Sequence, residues 1–448
     1  MQPFPTPTSN RLIDVSNEIR NRRISCGDVL VRCLEQIEQQ ESHLKAWVVV
    51  DADRAKEAAR QLDAELEQGQ WRGPLHGVPV GVKDIFDVAG LPTMAGSSRR
   101  RNTVAEHDAV LVSRLRDAGA VILGKTVTTQ FACFDPPHTR NPWNPDRTPG
   151  GSSSGSAAAV STEMCYAALG SQTGGSITRP AAYCGVCGLK PTYRQLPLSG
   201  CVPVAESLDH AGPLTRCIAD LALMQDALDG RKRYAQAIEA NSLERLQHLR
   251  IGVTEELFAD RPTMQSCDPD SQRLLRRLQR RLGKNLCSTN QISLPIDFDE
   301  ILSYHRTLMS YEAAAWHRWR FEQHPEDYLP NMTSLIREGL ETTPTEYQAA
   351  RHQQRRWRQR MKAEFARYDV LVCPATTGPA PDRSTTGDSS MNAPWSFLGL
   401  PTVSLPVALT NDELPLSLQF VGRRRNERTL LALAHHLETR FRRDSLAG

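Results

Sequence analysis

Helix-like and strand-like segments alternate along most of the chain and are joined by short connections. Apolar residues recur at helical spacing over residues 25–45, and the segment AWVVV that follows them is typical of a strand. The alternation returns where the amphipathic segment AVLVSRLRDAG ends on Gly119 and the apolar segment AVILG begins. Because parallel strands are usually joined by a crossover helix, this pattern predicts an α/β fold built on a layered sheet.

The remaining helices and strands are predicted from helical spacing of apolar residues and from short apolar runs. The Gly- and Pro-rich stretch 376–394 is predicted to be a loop, and a loop of that length often lines a site. A chain of 448 residues can hold two or three ordinary domains or one large α/β domain. The segment 78–86 is predicted to be a short buried strand that runs into a loop. Strands are also predicted over 369–375, 401–409 and 414–422, and helices over 52–68 and 156–170.

The segment 230–365 is poor in Gly and rich in Arg, Gln and Leu. We interpret its basic helices as solvated outer faces packed on a sheet, with an RNA-binding face as the less favoured alternative. The net charge of +3 argues neither for nor against such a partner, and we expect no nucleic-acid partner. The helical pattern places four leucines on one face: Leu274, Leu275, Leu278 and Leu282.

The sequence shows no targeting or anchoring pattern. Residues 1–20 contain no apolar core, so we expect no signal peptide. No apolar run approaches ~18 residues, so we expect no membrane span. The eleven cysteines are odd in number and scattered, which is typical of reduced thiols. These features predict a cytoplasmic protein.

Several short motifs fit known patterns in spacing but not in chemistry. GAVILGKT has the spacing of a phosphate loop, but its four variable positions are apolar and predict a strand. GSSSG fits a nucleophile elbow around Ser153, but the residues before it cannot form the strand that an elbow requires. The pair Cys184–Cys187 has no second pair at metal-site spacing, and H-E-x-x-H does not occur. We therefore expect no metal and no cofactor.

Three segments carry the candidate chemistry: GPLHGVPVGVKDIFDVAG, TPGGSSSGSAAAV and GSQTGGSITRP. Lys83 ends an apolar strand in the first segment, and burial there lowers a lysine pKa because the charged form loses its hydration. Such a lysine can act as a base at neutral pH; a surface lysine that merely ends a strand is the alternative. One predicted helix separates the two Gly/Ser segments, so the chain can bring them together.

Taken together, these segments resemble the amidase signature family of serine hydrolases. The resemblance is strongest over residues 60–220, the signature core, and it extends to the N-terminal helices and to the C-terminal strands. Residues 230–365 are similar to that family only in helix content. The core contains the motifs AVILGKT, TRNPWNPDRTPGGSSSGSAAAV, GGSITRPAAYCGVCGLKPT and SLDHAGPLTR.

The resemblance implies one large α/β/α domain over residues 1–448, with a central mixed, twisted β-sheet covered by helices on both faces. The family's Ser–cis-Ser–Lys triad corresponds by position to Ser176 as nucleophile, Ser152 as bridging serine and Lys83 as base. The peptide bond between Gly151 and Ser152 is then expected to be cis. The family's oxyanion hole corresponds to the backbone amides of Thr173, Gly174, Gly175 and Ser176.

The activity implied by the resemblance is hydrolysis of a small-molecule amide through an acyl-enzyme, without a cofactor or metal. Two alternatives stay open: the glutaminase subunit of a tRNA-dependent amidotransferase, and an inactive binding or scaffold protein. The amidotransferase members typically continue KPTY with GRVSR-like residues, whereas this chain reads KPTYRQLPLSG. Members of the family are often dimers, so a homodimer is expected.

The sequence departs from the family at two positions in the third segment, and its arginine lies one residue later, at Arg179. The family commonly has Asp where this chain has Gln172, and Arg where it has Thr178. We expect Gln172 and Thr178, or the neighbours of Thr178, to form hydrogen bonds in place of an ion pair and to brace the loop. The alternative is that the loop is loosened and the activity is weak. Arg179 is expected to bind backbone or a surface acid, with a substrate carboxylate as the less favoured alternative. Gln172 and Arg179 are also candidate substrate-binding residues. Other candidate pocket residues, each of which could instead be core, are Met94, Phe131, Cys133, Phe134 and Trp395.

Overall fold

Twelve strands of the described chain form one mixed sheet. The computed structural model describes residues 2–4, 10–240, 246–254, 267–285, 288–292, 294 and 297–444. The strands are β1 (Gln2–Pro3), β2 (Trp47–Val50), β3 (Pro79–Lys83), β4 (Val121–Thr126), β5 (Ala167–Gln172), β6 (Cys187–Lys190), β7 (His210–Thr215), β8 (Arg250–Thr254), β9 (Ser288–Ile292), β10 (Val370–Pro374), β11 (Thr402–Leu409) and β12 (Pro415–Gly422).

The strand order across the sheet is β2-β4-β3-β5-β7-β6-β11-β12-β10-β8-β9, and β1 pairs with β11. Strand β3 runs parallel to both β4 and β5, and β8 runs parallel to both β9 and β10. The other pairs are antiparallel. The sheet is therefore mixed, as the family resemblance implies.

The described chain also forms fourteen α-helices. They are α1 (Leu12–Arg20), α2 (Cys26–Leu44), α3 (Ala52–Glu67), α4 (Val110–Asp117), α5 (Ser154–Ser161), α6 (Thr178–Tyr183), α7 (Ile218–Asp229), α8 (Tyr234–Ala240), α9 (Pro269–Asn285), α10 (Phe298–Gln323), α11 (Pro330–Glu341), α12 (Pro344–Glu364), α13 (Ala393–Leu398) and α14 (Glu427–Asp444). No helix in the described ranges is long and apolar enough to cross a membrane.

The central strands are buried on both faces. Every residue of β3, β5 and β11 is buried, including those whose side chains alternate to opposite sides of the sheet. Strands that are buried on both faces need a helical layer on each side. The predicted α/β/α architecture is therefore confirmed. The apolar GAVILGKT segment contains β4, as its composition predicts, and is not a phosphate loop.

The helix predicted over 156–170 is wrong in its second half. Helix α5 ends at Ser161, and residues 167–172 form β5 between β3 and β7. The segment is rich in alanine, which favours a helix in isolation. Backbone pairing with two neighbouring strands overrides that preference. The two Gly/Ser segments are thus separated by a helix and a strand.

The helices of the Arg-rich segment pack by one face. Helix α12 begins with a capping box between Thr343 and Glu346. Leu274 and Leu275 of α9 are buried as predicted, whereas the side chains of Leu278 and Leu282 lie outside the described residues. The buried face of α12 comprises Ala350, Gln354, Trp357 and Met361. This spacing agrees with the interpretation of packed helices with solvated outer faces.

Gly155 fixes the approach of helix α5 to the sheet edge. A Cβ at this position would lie 2.1 Å from the carbonyl oxygen of Ala46 and 2.3 Å from the amide nitrogen of Val127, both of which are backbone atoms. We predict that Gly155→Ala lowers the free energy of unfolding by about 2–4 kcal/mol, because the backbone must move to relieve the overlap. Urea denaturation followed by circular dichroism measures the loss.

Gly27 offers a matched control, because it is likewise the second residue of a helix, α2. Its added Cβ would meet nothing closer than 3.5 Å, at Ser25 Oγ. Gly27→Ala is expected to be neutral or to stabilise the protein by up to about 1 kcal/mol through helix propensity. Equal stabilities for the two variants would contradict the role assigned to Gly155.

Candidate active site

A small cavity of about 160 Å³ opens beside the carboxyl ends of the parallel strands β3 and β5. Lys83 is the last residue of β3, and the segment 173–177 leads from β5 into α6. Side chains that follow adjacent parallel strands meet at one edge of a sheet, which is where α/β proteins place their ligands. The cavity is lined by Ala132, Cys133, Phe134, Ser152, Thr173, Gly174, Gly175, Ser176, Arg179, Leu302, His305, Arg306, Met309, Thr386, Ser389 and Ala393.

Lys83 is completely buried and contacts two serine hydroxyls. Its Nζ lies 2.7 Å from Ser152 Oγ and 2.8 Å from Ser171 Oγ. Burial lowers the pKa of Lys83 to about 7, since the charged form loses its hydration. Among the described residues no carboxylate lies within ion-pair distance of Nζ. The amine can therefore be neutral near pH 7 and accept a proton from a hydroxyl.

Two other lysines are equally buried but have different partners. Lys125 forms a 2.7 Å ion pair with Asp84, which is also fully buried. Lys190 donates hydrogen bonds to the backbone carbonyls of Leu400 and Pro191, and burial lowers its pKa to about 7 as well. A lowered pKa alone therefore does not distinguish a candidate base. The distinguishing feature of Lys83 is its contact with hydroxyl groups at the cavity.

The peptide bond between Gly151 and Ser152 is cis. Arg179 Nη2 donates to the Gly151 carbonyl at 2.9 Å, and the amide of Thr129 donates to the Ser152 carbonyl at 3.4 Å. The amide of Ser153 donates to the Ser176 carbonyl at 3.3 Å. These bonds connect the serine-rich segment directly to the segment that carries Ser176. Ser152 and Ser176 consequently lie in the wall of the same cavity.

The segment 173–176 is held by its carbonyl and hydroxyl groups. Thr173 Oγ1 donates to Asp209 Oδ1 at 2.5 Å. His305 Nε2 lies 3.0 Å from the Thr173 carbonyl oxygen, so this nitrogen carries the proton. Ser396 Oγ donates to the Gly174 carbonyl at 2.8 Å. Asp209 lies just before β7, His305 in α10 and Ser396 in α13. Three distant parts of the chain therefore hold the segment in place.

The amide groups of the same segment are left available. Within the described ranges, no protein acceptor takes a hydrogen bond from the N–H of Gly174, Gly175 or Ser176. All three residues line the cavity. Unpaired backbone amides in a cavity wall can stabilise a negatively charged oxygen.

Gln172 is fully buried beneath this segment and braces it through four hydrogen bonds. Its Oε1 accepts from the amides of Ile177 and Thr178 at 2.9 and 3.0 Å, and from Thr178 Oγ1 at 3.1 Å. Its Nε2 donates to Ser396 Oγ at 3.1 Å. The neutral pair that the sequence predicts at 172 and 178 is therefore present in the structure.

Arg179 binds backbone groups, as the favoured interpretation of the sequence predicts. Its Nη1 donates to the Gly387 carbonyl at 2.6 Å, and its Nη2 donates to the Gly151 carbonyl and to Thr386 Oγ1. Burial lowers the pKa of the guanidinium below its usual value. Arg179 thus joins the long loop before α13 to the Gly151–Ser152 peptide.

The predicted pocket residues divide into two groups. Cys133, Phe134 and Arg179 line the cavity. The walls do not include Met94, Phe131, Gln172 or Trp395. Phe131 packs edge-on against His317 with ring centroids 4.4 Å apart, and Trp395 packs against Phe298 in the same way. The hydrophobicity of these residues could not separate a pocket wall from the core.

Four residues of the site were not found by sequence reasoning: Ser171, Asp209, His305 and Arg306. Asp209 lies in the SLDHAGPLTR motif, which marks the segment but not its contact with Thr173. Burial raises the pKa of Asp209 to about 6. His305 and Arg306 come from the variable segment, where no motif marks them. Within the described ranges no group of three or more His, Cys, Asp or Glu side chains could hold a metal ion.

Comparisons with known proteins give matches over nearly the whole chain. A family model described as Amidase matches residues 28–431. An amidase of Pseudomonas putida is 36% identical, over 94% of this chain and 93% of that protein. A glutamyl-tRNA(Gln) amidotransferase subunit of Desulforapulum autotrophicum is 32% identical, over 93% of this chain and 94% of that protein. A crystal structure of an amidase superposes with a TM-score of 0.87 at 31% identity, covering 96% of this chain and 100% of that one.

The contacts of Gln172 generate a prediction. In Gln172→Asp the side chain is shorter, cannot donate to Ser396, and carries a buried charge without a cation, since Arg179 is already bound elsewhere. We expect the free energy of unfolding at pH 7 to fall by about 3–5 kcal/mol. Gln172→Asn is the control, because it has the same shape without the charge and should lose less. An increase in stability or activity for Gln172→Asp would show that the neutral pairing is not what braces the loop.

Proposed function

Because the chain belongs to the amidase signature family, we propose that it hydrolyses the C–N bond of a small amide through an acyl-enzyme on Ser176. The chain is an amidase, a hydrolase that acts on amide C–N bonds. The roles of individual residues are our assignment. The observation that carries the assignment is a hydrogen bond at the cavity between Lys83 and the hydroxyl of Ser152. Lys83 is buried and has no carboxylate partner among the described residues.

In the proposed mechanism, neutral Lys83 is the base. It removes a proton from Ser152 Oγ, which in turn takes the proton of Ser176 Oγ. Ser176 Oγ then attacks the carbonyl carbon of the amide and forms a tetrahedral intermediate. Ser171 also contacts Nζ, at 2.8 Å, and orients the amine toward Ser152. No histidine is needed for this relay.

The negative charge of the intermediate falls on the former carbonyl oxygen. We assign its stabilisation to the backbone amides of Thr173, Gly174, Gly175 and Ser176. The proton then returns through Ser152 to the departing nitrogen, the C–N bond breaks, and ammonia or an amine leaves. Water hydrolyses the remaining ester and regenerates Ser176.

The glutaminase component of an amidotransferase is the second candidate function, because one such relative matches nearly the whole chain. Such a component would release ammonia chiefly from glutamine and with its partner present, whereas a free-standing amidase would act alone on simple amides. The alternative of an inactive scaffold conflicts with the assembled contacts of Lys83 and Ser152.

We further propose that the protein works in the cytoplasm and forms a homodimer. The odd number of scattered cysteines supports a reducing compartment. The homodimer rests on the family resemblance alone and stays a prediction, to be measured by light scattering. The substrate is a small molecule, in keeping with a cavity of about 160 Å³.

The nucleophile is tested by Ser176→Ala. We predict that this variant loses amide hydrolysis by at least about 10⁴-fold with its circular dichroism spectrum unchanged, because no other group can form the acyl-enzyme. Ammonia release measures the loss, and a fluorophosphonate probe should label the wild type but not the variant. Ser389→Ala, which removes another hydroxyl from the same cavity, should still be labelled. Full activity in Ser176→Ala would refute the assignment.

The base is tested by the pH profile. Since Lys83 must be neutral and its pKa is lowered to about 7, kcat/KM should rise about tenfold per pH unit below pH 7 and level off above it. Initial rates of ammonia release between pH 5 and 9 give the profile.

Asp209 is a nearby acid whose ionisation could also make kcat/KM rise with pH, because burial raises its pKa to about 6. The control is Asp209→Asn, in which the rise of kcat/KM below pH 7 should persist if Lys83 is the titrating base. Loss of this pH dependence in Asp209→Asn would assign the titration to the Asp209 carboxyl instead.

A further inference from the structure

The wall of the cavity carries two guanidinium groups and no carboxylate among the described residues that line it. These are the side chains of Arg179 and Arg306. Asp209 lies behind the wall, where it accepts hydrogen bonds from Thr173 Oγ1 and from the amides of Val204 and Ala205. The charged side chains that line the cavity are therefore both cations.

Three hydrogen bonds hold the two terminal nitrogens of the Arg179 guanidinium. Nη1 bonds the Gly387 carbonyl, and Nη2 bonds the Gly151 carbonyl and Thr386 Oγ1. The side chain is only 4% exposed. It contributes charge to the cavity, but its geometry is fixed by the protein.

Arg306 is different, because it is 38% exposed and incompletely satisfied. Its Nε and Nη2 both bond a single oxygen of Glu338, at 2.8 and 2.7 Å. The guanidinium carbon lies 5.2 Å from the ring centroid of Phe134, another residue of the wall. Among the described residues, no protein acceptor takes a hydrogen bond from Arg306 Nη1.

Arg306 acts on the cavity wall together with an acid behind it. Burial and the Asp209 carboxylate raise the pKa of the Cys133 thiol, and Arg306 opposes that rise. The Glu338 partner is 40% exposed, so the ion pair is solvated and weak. A carboxylate that enters the cavity can bind the same guanidinium while Glu338 turns to solvent.

We propose that Arg306 binds a carboxylate of the substrate, so that the preferred substrates are small amides that also carry a carboxylate. The proposal rests on the proposed amidase function of the same site. A planar guanidinium pairs with a carboxylate through two parallel hydrogen bonds, which gives both affinity and orientation. The small volume limits the substrate to a few carbons between amide and carboxylate.

The experiment compares the monoamides of malonic, succinic and glutaric acids with the corresponding diamides. Each pair differs only in replacing the carboxylate by a neutral carboxamide. We expect wild-type kcat/KM to favour at least one monoamide over its diamide by about tenfold or more, mainly through KM. In Arg306→Gln that monoamide should lose about 10- to 100-fold in kcat/KM, and its diamide should lose much less.

Two further variants separate recognition from general disturbance. Arg320→Gln removes a salt-bridged arginine of the same helix, paired with Asp327 at 3.1 Å but absent from the cavity wall, and it should not change the preference. Glu338→Gln removes the competing carboxylate and should lower KM for the monoamide.

The outcomes distinguish the two proposals. Hydrolysis of the diamides through Ser176 with no monoamide preferred, or a preference that survives in Arg306→Gln, would overturn the role of Arg306 and leave the amidase assignment intact. Failure to hydrolyse any of these amides, together with absence of fluorophosphonate labelling at Ser176, would overturn the proposed function itself.

Discussion

The site depends on the burial of one amine at the end of a strand. Lys83 lies where β3 ends, completely removed from solvent, with two serine hydroxyls as its hydrogen-bond partners. Burying an amine without a counter-charge destabilises its charged form. The surrounding fold must therefore be stable enough to keep the lysine there, and the sheet provides this through strands that are buried on both faces.

The Ser176 segment is braced from several distant parts of the chain. Gln172 holds it from below, Asp209 and His305 bind the Thr173 end, and Arg179 connects the cis peptide at Gly151 to the loop before α13. Gln172 accepts from the amides of Ile177 and Thr178, and the other contacts use carbonyls or side chains. The amides that face the cavity remain available, so the bracing prepares the segment without occupying its donors.

Much of the fold could be predicted, because its elements have strong local patterns. Buried apolar strands such as β4, β10 and β12 and the amphipathic α12 follow from periodicity. The strand β5 could not be predicted in this way, since its sequence AALGSQ is rich in alanine and becomes a strand only by pairing with β3 and β7. Phe131 and Trp395 are a second example, this time at the site. Hydrophobicity alone does not distinguish residues that line a pocket from residues of the core.

The sequence by itself determined the layered α/β class through its periodicity, and the family through ordered motifs. The three residues that we assign to the triad follow from the position of those motifs in the family. The sequence also identified Gln172 and Thr178 as a neutral pair. Only the tertiary structure decided which other side chains reach the cavity. His305 and Arg306 lie about 130 residues from Ser176 in the chain, and helix α10 brings them to the wall through long-range packing that no local pattern encodes.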